Sequence, residues 1–377
     1  MKIKVNQKTF FSSLSRIQGI VEKSSIKPIT ANALIKTVDK GITVSATDLK
    51  IGMTAKYSNV EILEEGSISV NARKLFEIIK EMPEKDIIIS EKENYWIEIT
   101  CGKDVKFNII GLPPEDFPML LEEGDDVYVE WDIEKIITMI ELTSFSISRD
   151  ETKINICGAF FEPLEKKMMR IVTTDGYRLS IMEDNVGGNL EKEDGFIIHH
   201  KAVNELHKIL LEKREEKKFS ILIKENKIMI KIGEVELFIR MIEKKFPDYK
   251  VIIPREEYKK AEVIIEKGKI KPALKRISII SQENNSPVVF SFKHKKMEIF
   301  TEDSELGNIK ETLEIEKKEK KDFSFCINSV YLLDILNAVN NNIIIEYNIE
   351  EEDKPIIIRE TNIKKRSKYI IMPMVLD

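Results

Sequence analysis

The amino-acid sequence predicts an α+β protein built from three copies of one domain, each an antiparallel sheet packed against two helices. Three observations support this prediction. The length of 377 residues is typical of two or three domains. A strand–turn–strand motif with an acidic turn occurs three times, and the same order of helices and strands surrounds each copy. The repeat is too long for a solenoid, so we expect three domains of one fold.

The recurring motif is an alternating strand, a threonine, an acidic turn and a second strand. Its copies are GITVSATDLKIGM (41–53), MRIVTTDGYRLSI (169–181) and MEIFTEDSELGNI (297–309). The turn aspartates Asp48, Asp175 and Asp303 lie 127 and 128 residues apart. An aspartate in a tight turn accepts hydrogen bonds from backbone N–H groups. The alternative, a nuclease that uses the three carboxylates, requires metals about 4 Å apart, whereas equivalent positions in separate domains lie much farther apart.

Two helices accompany the motif in each copy, as the spacing of the apolar residues indicates. The opening helices are predicted over 6–21, 132–148 and 269–282, and the second helices over 71–82, 200–211 and 328–339. Asn71 and Asn328 are the predicted N-caps of two of the second helices. Paired strands around polar turns are predicted after each second helix, at 86–100, 219–233 and 342–360.

Each copy ends in a segment that contains proline, and Pro118, Pro247 and Pro373 lie 129 and 126 residues apart. The predicted domains are therefore an N-terminal domain at 1–123, a central domain at 127–250 and a C-terminal domain at 253–377.

Composition indicates a cytoplasmic protein without a membrane span. No run of about 18 apolar residues is present, and the N-terminus lacks the apolar core of a secretory signal. The three cysteines are far apart and form no CxxC pair, which disfavours both a disulfide framework and a zinc cluster. We expect each of them to be buried and structural.

The net charge of −5 is unevenly distributed, because most predicted helices are basic while the acidic clusters lie in predicted turns and outer strands. The candidate DNA-facing residues are Lys8, Arg16, Lys23, Lys27, Arg73, Lys80, Arg149, Lys201, Lys208, Lys271, Lys275 and Arg276. Such a distribution suits non-specific contact with phosphates, although a lysine-rich helix face is also typical of a merely solvated surface. The opening helix of the second copy is an exception, because Glu134 and Glu141 offset its cations.

No catalytic, cofactor or metal motif is found. The sequence contains no GxxxxGK[ST] loop, no HExxH and no GxSxG. His200 and His207 are two helical turns apart, too far to share a metal. We therefore expect a protein that is not an enzyme and needs no cofactor.

Taken together, ATDLK (46–50), TTDGYRL (173–179), FPDY (246–249) and MPM (372–374) resemble the bacterial DNA polymerase III beta subunit family, along the whole chain. The members are sliding clamps. The resemblance implies clamp-type domains in a head-to-tail homodimer closed into a ring, with helices inside and sheets outside. It also implies a non-catalytic processivity factor that encircles duplex DNA. Its partners would be the DNA polymerase III alpha subunit, the clamp loader, and other polymerases and repair proteins.

In this family, partners insert a short peptide rich in Gln, Leu and Phe into a groove between the second and third domains. By resemblance, the groove consists of Ile156, Thr174, Gly176, Tyr177, Arg178, Leu179, Pro247, Ile252, Ile370, Met372, Pro373 and Met374. Core packing is the alternative role of the apolar members. Val251 and Val375 stand where some clamps have arginine, and Ser24 replaces an arginine of a DNA-facing loop.

The subunit interface would join the first domain of one chain to the third domain of another. Its candidates are Lys74, Phe107 and Ile109 on one side and Ile279 and Ile280 on the other. Each apolar candidate could instead belong to an ordinary core. The alternative function for the whole chain is a three-domain interaction scaffold that never encircles DNA.

Overall fold

The computed structural model describes residues 1–21, 28–118, 127–190, 194–254, 260–281, 287–303, 307–317, 321–349, 354–361 and 366–374. Within these ranges the chain forms 26 strands and six α-helices. It divides into two compact units, one of Met1–Glu134 with Asn204–Met241 and one of Lys135–Val203 with Ile242–Asp377. In the described ranges, no helix has the length and apolarity to cross a membrane.

The first unit contains one sheet of 13 strands, in the order β10-β15-β16-β17-β4-β3-β2-β6-β9-β8-β7-β1-β5. Every neighbouring pair in it is antiparallel. The strands are β1 (Lys2–Asn6), β2 (Asn32–Val38), β3 (Gly41–Thr47), β4 (Ile51–Tyr57), β5 (Val60–Glu64), β6 (Ser67–Asn71), β7 (Asp86–Glu91), β8 (Trp96–Cys101), β9 (Val105–Leu112), β10 (Val129–Asp132), β15 (Lys218–Lys224), β16 (Lys227–Ile232) and β17 (Val235–Arg240).

The second unit contains a sheet of nine strands, β14-β11-β12-β13-β26-β25-β24-β18-β22, and a sheet of four, β21-β20-β19-β23. Both are antiparallel throughout. The strands are β11 (Gly158–Pro163), β12 (Met168–Thr174), β13 (Arg178–Asn185), β14 (Phe196–His199), β18 (Lys260–Ile265), β19 (Val288–Lys293), β20 (Lys296–Asp303), β21 (Gly307–Glu314), β22 (Glu316–Lys317), β23 (Phe323–Ile327), β24 (Ile343–Asn348), β25 (Ile356–Glu360) and β26 (Ser367–Ile371).

The helices come in two per repeat, which confirms the predicted α+β class. They are α1 (Gln7–Ile17), α2 (Ala72–Glu81), α3 (Ile133–Glu141), α4 (His200–Glu212), α5 (Lys267–Ser281) and α6 (Ser329–Ala338). Helix α1 packs against α2, and α5 packs against α6. The predicted caps are confirmed, because the side chain of Asn71 accepts a hydrogen bond from Lys74 N at 2.9 Å and that of Asn328 accepts one from Val330 N at 2.9 Å.

Apolar side chains fill the space between the sheets and the helices, as their periodicity predicts. Leu75 and Ile79 on α2 are fully buried, as are Leu332 and Leu336 on α6. The three cysteines are free thiols in buried positions, as expected of structural cysteines.

Strands of the central repeat join sheets of both other repeats. In the first unit, β17 pairs with β4 from Val235↔Ala55 to Ile239↔Ile51. In the second unit, β13 pairs with β26 from Arg178↔Ile371 to Met182↔Ser367. The central repeat is therefore divided between the two units.

Two of the predicted acidic turns, at Asp48 and Asp175, have equivalent hydrogen bonds. Asp48 Oδ1 accepts hydrogen bonds from Lys50 N at 2.9 Å and Ile51 N at 2.7 Å. Asp175 Oδ1 accepts equivalent bonds from Tyr177 N and Arg178 N at 3.0 and 3.1 Å. In both copies the preceding threonine hydroxyl bonds across the same turn. These carboxylates therefore hold turns together, while the tip of the third turn, 304–306, is outside the described residues.

Candidate functional site

One buried apolar cluster in the second unit brings together residues predicted from distant parts of the chain. Ile156, Leu179 and Ile370 belong to it, with Phe246 and Tyr249 of the FPDY segment. Leu179 and Ile370 face each other across the β13–β26 pair. The cluster forms an apolar base that these predicted groove residues share.

Exposed apolar side chains continue from this cluster. Tyr177 is 60% exposed and Val251 is 77% exposed, and Ile252 and Met372 are exposed to a smaller extent. Met372 N donates a 2.9 Å hydrogen bond to Tyr177 O, so the ends of β13 and β26 are fixed to each other. Exposed apolar groups that adjoin a buried apolar base are typical of a ligand-binding surface.

The acidic turn determines where Tyr177 lies. Gly176 has a φ of +99°, which favours glycine, and a Cβ at this position would meet no atom within 4 Å. The backbone conformation therefore accounts for the glycine, and the turn presents Tyr177 to solvent.

Arg178 differs from the apolar groove residues in that its charged side chain is only 10% exposed. Its guanidinium donates to Asp175 Oδ2 at 2.9 Å and to Asp334 Oδ2 on α6 at 2.7 Å. It also lies over the ring of Tyr331, 4.5 Å from the centroid. Through these contacts Arg178 holds β13 and α6 together. Sequence reasoning missed Asp334 and Tyr331, which lie more than 150 residues from it in the chain.

A polar network adjoins the apolar base at Tyr249. The Tyr249 hydroxyl donates to Glu162, which also accepts from Arg170 at 2.7 Å and from Lys250 at 2.7 Å. Burial favours the neutral form of Glu162, but the hydrogen bonds from Lys250, Tyr249 and Arg170 outweigh it and lower the pKa of Glu162. Burial and the bond to Glu162 raise the pKa of Tyr249.

The remaining predicted groove residues also include both buried and exposed positions. Thr174 is buried, Pro247 is exposed, and Pro373 and Met374 are half-buried. Met374 N donates to Cys326 O at 2.8 Å, which fixes the end of the chain that follows β26.

The predicted DNA-facing cations are mostly accessible. Exposed members are Lys8, Arg73, Lys80, Arg149, Lys208, Lys275 and Arg276, whereas Lys201 and Lys271 are half-buried. Lys23 and Lys27 lie outside the described residues.

Several of these cations are paired with glutamates, namely Lys8, Arg73, Lys208 and Arg276, and Arg16 is paired with two. Its side chain is 16% exposed and forms ion pairs with Glu212 and Glu234, and it donates to the Tyr57 hydroxyl at 3.3 Å. Its charge is therefore largely neutralised within the first unit. Residue counts along one segment overlook this, because Glu212 lies 196 positions away.

Helix α5 carries cations that stand close to one another. Lys267, Lys271 and Lys275 are spaced by four residues, so they follow one face of the helix. Burial, together with the charges of Lys267 and Lys275, lowers the pKa of Lys271. A bound polyanion would relieve this repulsion.

The candidate interface residues lie on β9 and the helices α2 and α5. Phe107 on β9 is 40% exposed and Ile279 on α5 is 72% exposed, while Ile109 and Ile280 are half-buried. Lys74 is exposed and pairs with Glu77 at 3.2 Å.

Among the described residues, one group has the side chains to hold a metal ion, namely Glu151, His199 and His200. Sequence reasoning compared only His200 with His207 and missed this group. The signal in the sequence was the adjacent pair of histidines, but nothing local indicates that Glu151 lies beside it.

Comparisons with known proteins cover the whole chain. Family models of the DNA polymerase III beta subunit match in order, the N-terminal domain at residues 1–121, the central domain at 131–248 and the C-terminal domain at 250–375. The beta sliding clamp of Rickettsia felis is 28% identical over 384 residues and is covered to 99%, as is this chain. That of Chlamydia muridarum is 25% identical over 376 residues, which cover 100% of this chain and 99% of the relative.

Solved structures of DNA polymerase III beta subunits also match the chain along its whole length. The beta subunit of DNA polymerase III from Thermotoga maritima has a TM-score of 0.88 at 25% identity, with both chains covered to 100%. The sliding clamp of Bartonella birtlesii, solved with griselimycin bound, has a TM-score of 0.90 at 27% identity, again with both chains covered to 100%. With all three domain models matched in sequence, the chain belongs to the DNA polymerase III beta subunit family, the beta sliding clamps.

Proposed function

We propose that this protein is a sliding clamp that encircles duplex DNA as a head-to-tail homodimer and tethers the replicative polymerase, which gives processive synthesis. The observation that carries the proposal is the match of all three clamp domains, in order, along one chain. The protein has no catalytic role in this function, since the work consists of holding two partners together.

Contact with DNA depends on the exposed cations of the helices. Lysines and arginines neutralise phosphates without reading bases, so binding is independent of sequence and sensitive to salt. The lysine face of α5 (Lys267, Lys271 and Lys275) supports this role, because it places three cations along one side of the helix. Loose contacts of this kind also permit sliding.

Closure into a ring needs two complementary edges per chain. Strand β9 pairs with β8 from Val105 to Ile110 but pairs with β6 only at Gly111 and Leu112. Strand β21 is the terminal strand of the four-stranded sheet. Among the described strands, each thus offers backbone groups that a second copy of the chain could pair with. A contact between two different edges is head-to-tail. It closes into a ring of two subunits when each contact rotates one subunit by half a turn relative to the other.

Partner proteins bind through the apolar base and its exposed rim at Tyr177, Val251 and Met372. The fitting ligand is a short peptide with aliphatic and aromatic anchors, since such side chains bury apolar surface against an apolar base and aromatic anchors are typical of binding hot spots. The partners of this class are the polymerase alpha subunit, the clamp loader, and other polymerases and repair proteins.

The test of the clamp is topological. The purified protein is loaded onto nicked circular DNA with a clamp loader, and the DNA is then cut once with a restriction enzyme. A clamp stays on the circle through gel filtration and leaves the linear DNA by its ends. Retention that is equal on both forms, or absent from both, would contradict encirclement and favour the interaction scaffold.

A further inference from the structure

Glu151, His199 and His200 converge in the second unit, and none of them is among the predicted groove residues. Both histidines point Nε2 at the same carboxylate, and the distances to Glu151 Oε1 are 3.3 Å from His199 and 3.2 Å from His200. The centroids of the two rings are 4.3 Å apart, and the ring planes are tilted by 35°. One ligand atom from each of the three residues lies within 4.8 Å of the others.

The backbone fixes both histidines. His199 is the last residue of β14 and pairs with Gly158 on β11. His200 begins α4, and its N–H donates to Cys157 O at 2.9 Å. The junction of a strand and a helix thus presents two adjacent imidazoles on the same side.

A local turn between Asp150 and Thr152 holds Glu151 in place. Asp150 Oδ1 accepts from Thr152 N at 3.1 Å and from Thr152 Oγ1 at 2.6 Å, which closes a local turn around Glu151. The carboxylate of Glu151 is 59% exposed, while the histidine side chains are 16% and 20% exposed. An ion from solvent can therefore reach a set of ligands that is already assembled.

We propose that Glu151, His199 and His200 bind a divalent transition-metal ion of the zinc class. Two imidazoles and one carboxylate are a recurrent zinc ligand set that leaves a fourth position for water. Ligand atoms about 2.0–2.1 Å from a tetrahedral zinc ion are roughly 3.3–3.4 Å from each other, close to the 3.3 and 3.2 Å that separate the two Nε2 atoms from Glu151 Oε1. Imidazole ligands favour zinc, copper or nickel over magnesium and calcium.

Arg149 competes with the metal. Its Nη1 lies 2.6 Å from His200 Nδ1, and since arginine only donates, this nitrogen accepts and the ring proton resides on Nε2. A metal on Nε2 shifts that proton to Nδ1, where it would face the guanidinium. Binding of the ion therefore releases Arg149, one of the cations proposed to face DNA.

Isothermal titration of the full-length protein with zinc chloride, in a buffer without chelator, tests the proposal. We expect one site per chain. The His199→Gln/His200→Gln double variant and Glu151→Gln should each bind zinc at least about tenfold more weakly. Arg149→Gln should bind it more tightly, because the competing donor is gone and the amide oxygen can accept from Nδ1–H.

His207→Gln is the matched control, since this histidine lies seven residues farther along α4 and outside the group. It should leave zinc affinity unchanged. Cobalt(II) absorption of the wild type provides a second readout of the coordination geometry. The proposal is overturned if the wild type binds no zinc, or if Glu151→Gln and the double variant bind it as the wild type does.

Discussion

Arg178 on β13 and Asp334 on α6 are joined by a 2.7 Å hydrogen bond between Nη1 and Oδ2, across 156 residues of chain. Arg178 immediately follows Tyr177, whose carbonyl is bonded to Met372 N. The ion pair therefore fixes the segment that presents the exposed tyrosine. A local turn and a long-range ion pair together determine the shape of this surface.

Removal of Arg178 should destabilise the second unit. Arg178→Ala leaves the carboxylate of Asp334, which is 31% exposed, without its partner, and the loss of a partner to a partly buried charged group costs about 2 kcal/mol. Urea unfolding followed by circular dichroism measures the free energy of unfolding. Arg276→Ala is the control, because its pair with Glu311 is more exposed and should contribute less than about 1 kcal/mol. Equal effects of the two variants would contradict the inference that Arg178 stabilises the contact between β13 and α6.

Exposed rim residues should affect peptide binding more than stability. Tyr177→Ala and Met372→Ala each remove an accessible apolar group, so we expect about tenfold weaker binding of a peptide with Gln, Leu and Phe anchors. Fluorescence anisotropy with a labelled peptide measures this change. Ile110→Ala, at an exposed apolar position in the first unit, should leave binding unaltered. A groove at this surface is ruled out if Tyr177→Ala and Ile110→Ala behave alike.

The lysine face of α5 should determine the salt dependence of DNA binding. The double variant Lys271→Ala/Lys275→Ala is expected to reduce the slope of log K against log salt by roughly 0.9 for each phosphate that it no longer neutralises. Anisotropy of a short linear duplex, titrated at several salt concentrations, gives the slope. Lys218→Ala is the control, because Lys218 pairs with Glu130 on neighbouring strands at 2.9 Å. An unchanged slope in the double variant would show that α5 does not touch DNA.

Acid should weaken the network around Tyr249. The pKa of Glu162 is lowered in the folded protein, so the stabilisation is complete above the usual glutamate value near 4.5 and is lost as pH falls through the lowered value. The difference in unfolding free energy between wild type and Glu162→Gln should be constant near neutral pH and shrink below about pH 4.5. A difference that does not vary with pH would show that the ionised form contributes nothing.

A charge at the proposed dimer contact should separate the subunits. We expect the wild type to sediment as a dimer of 43.7 kDa chains, and Ile279→Asp to sediment as a monomer, because burying an unpaired carboxylate is costly. Val127→Asp, at another exposed apolar position, should remain a dimer. Analytical ultracentrifugation at micromolar concentration separates these outcomes, and a dimeric Ile279→Asp would place the contact elsewhere.

Local features of the fold could be predicted from the sequence. The bonds of Asp48 and Asp175 lie within three residues of each aspartate, and the caps at Asn71 and Asn328 are equally local. Periodicity and turn chemistry act over such distances, so these predictions were confirmed.

Contacts between distant segments could not be predicted in the same way. The pairing of Arg16 with Glu212, and of Arg178 with Asp334, depends on which helices and strands lie beside each other in the fold, and no short pattern encodes it. The group of Glu151 with His199 and His200 could not be predicted for the same reason, because Glu151 lies 48 and 49 residues before the two histidines.

The shared sheets of the central repeat have a consequence for truncation. A fragment of residues 127–250 would contain β13 and β17 but neither β26 nor β4, and so would leave one edge of each of these two strands unpaired. Bare edges of this kind promote aggregation. Domain dissection at the repeat boundaries should therefore yield insoluble material, because the central repeat completes its sheets only with strands from both neighbouring repeats.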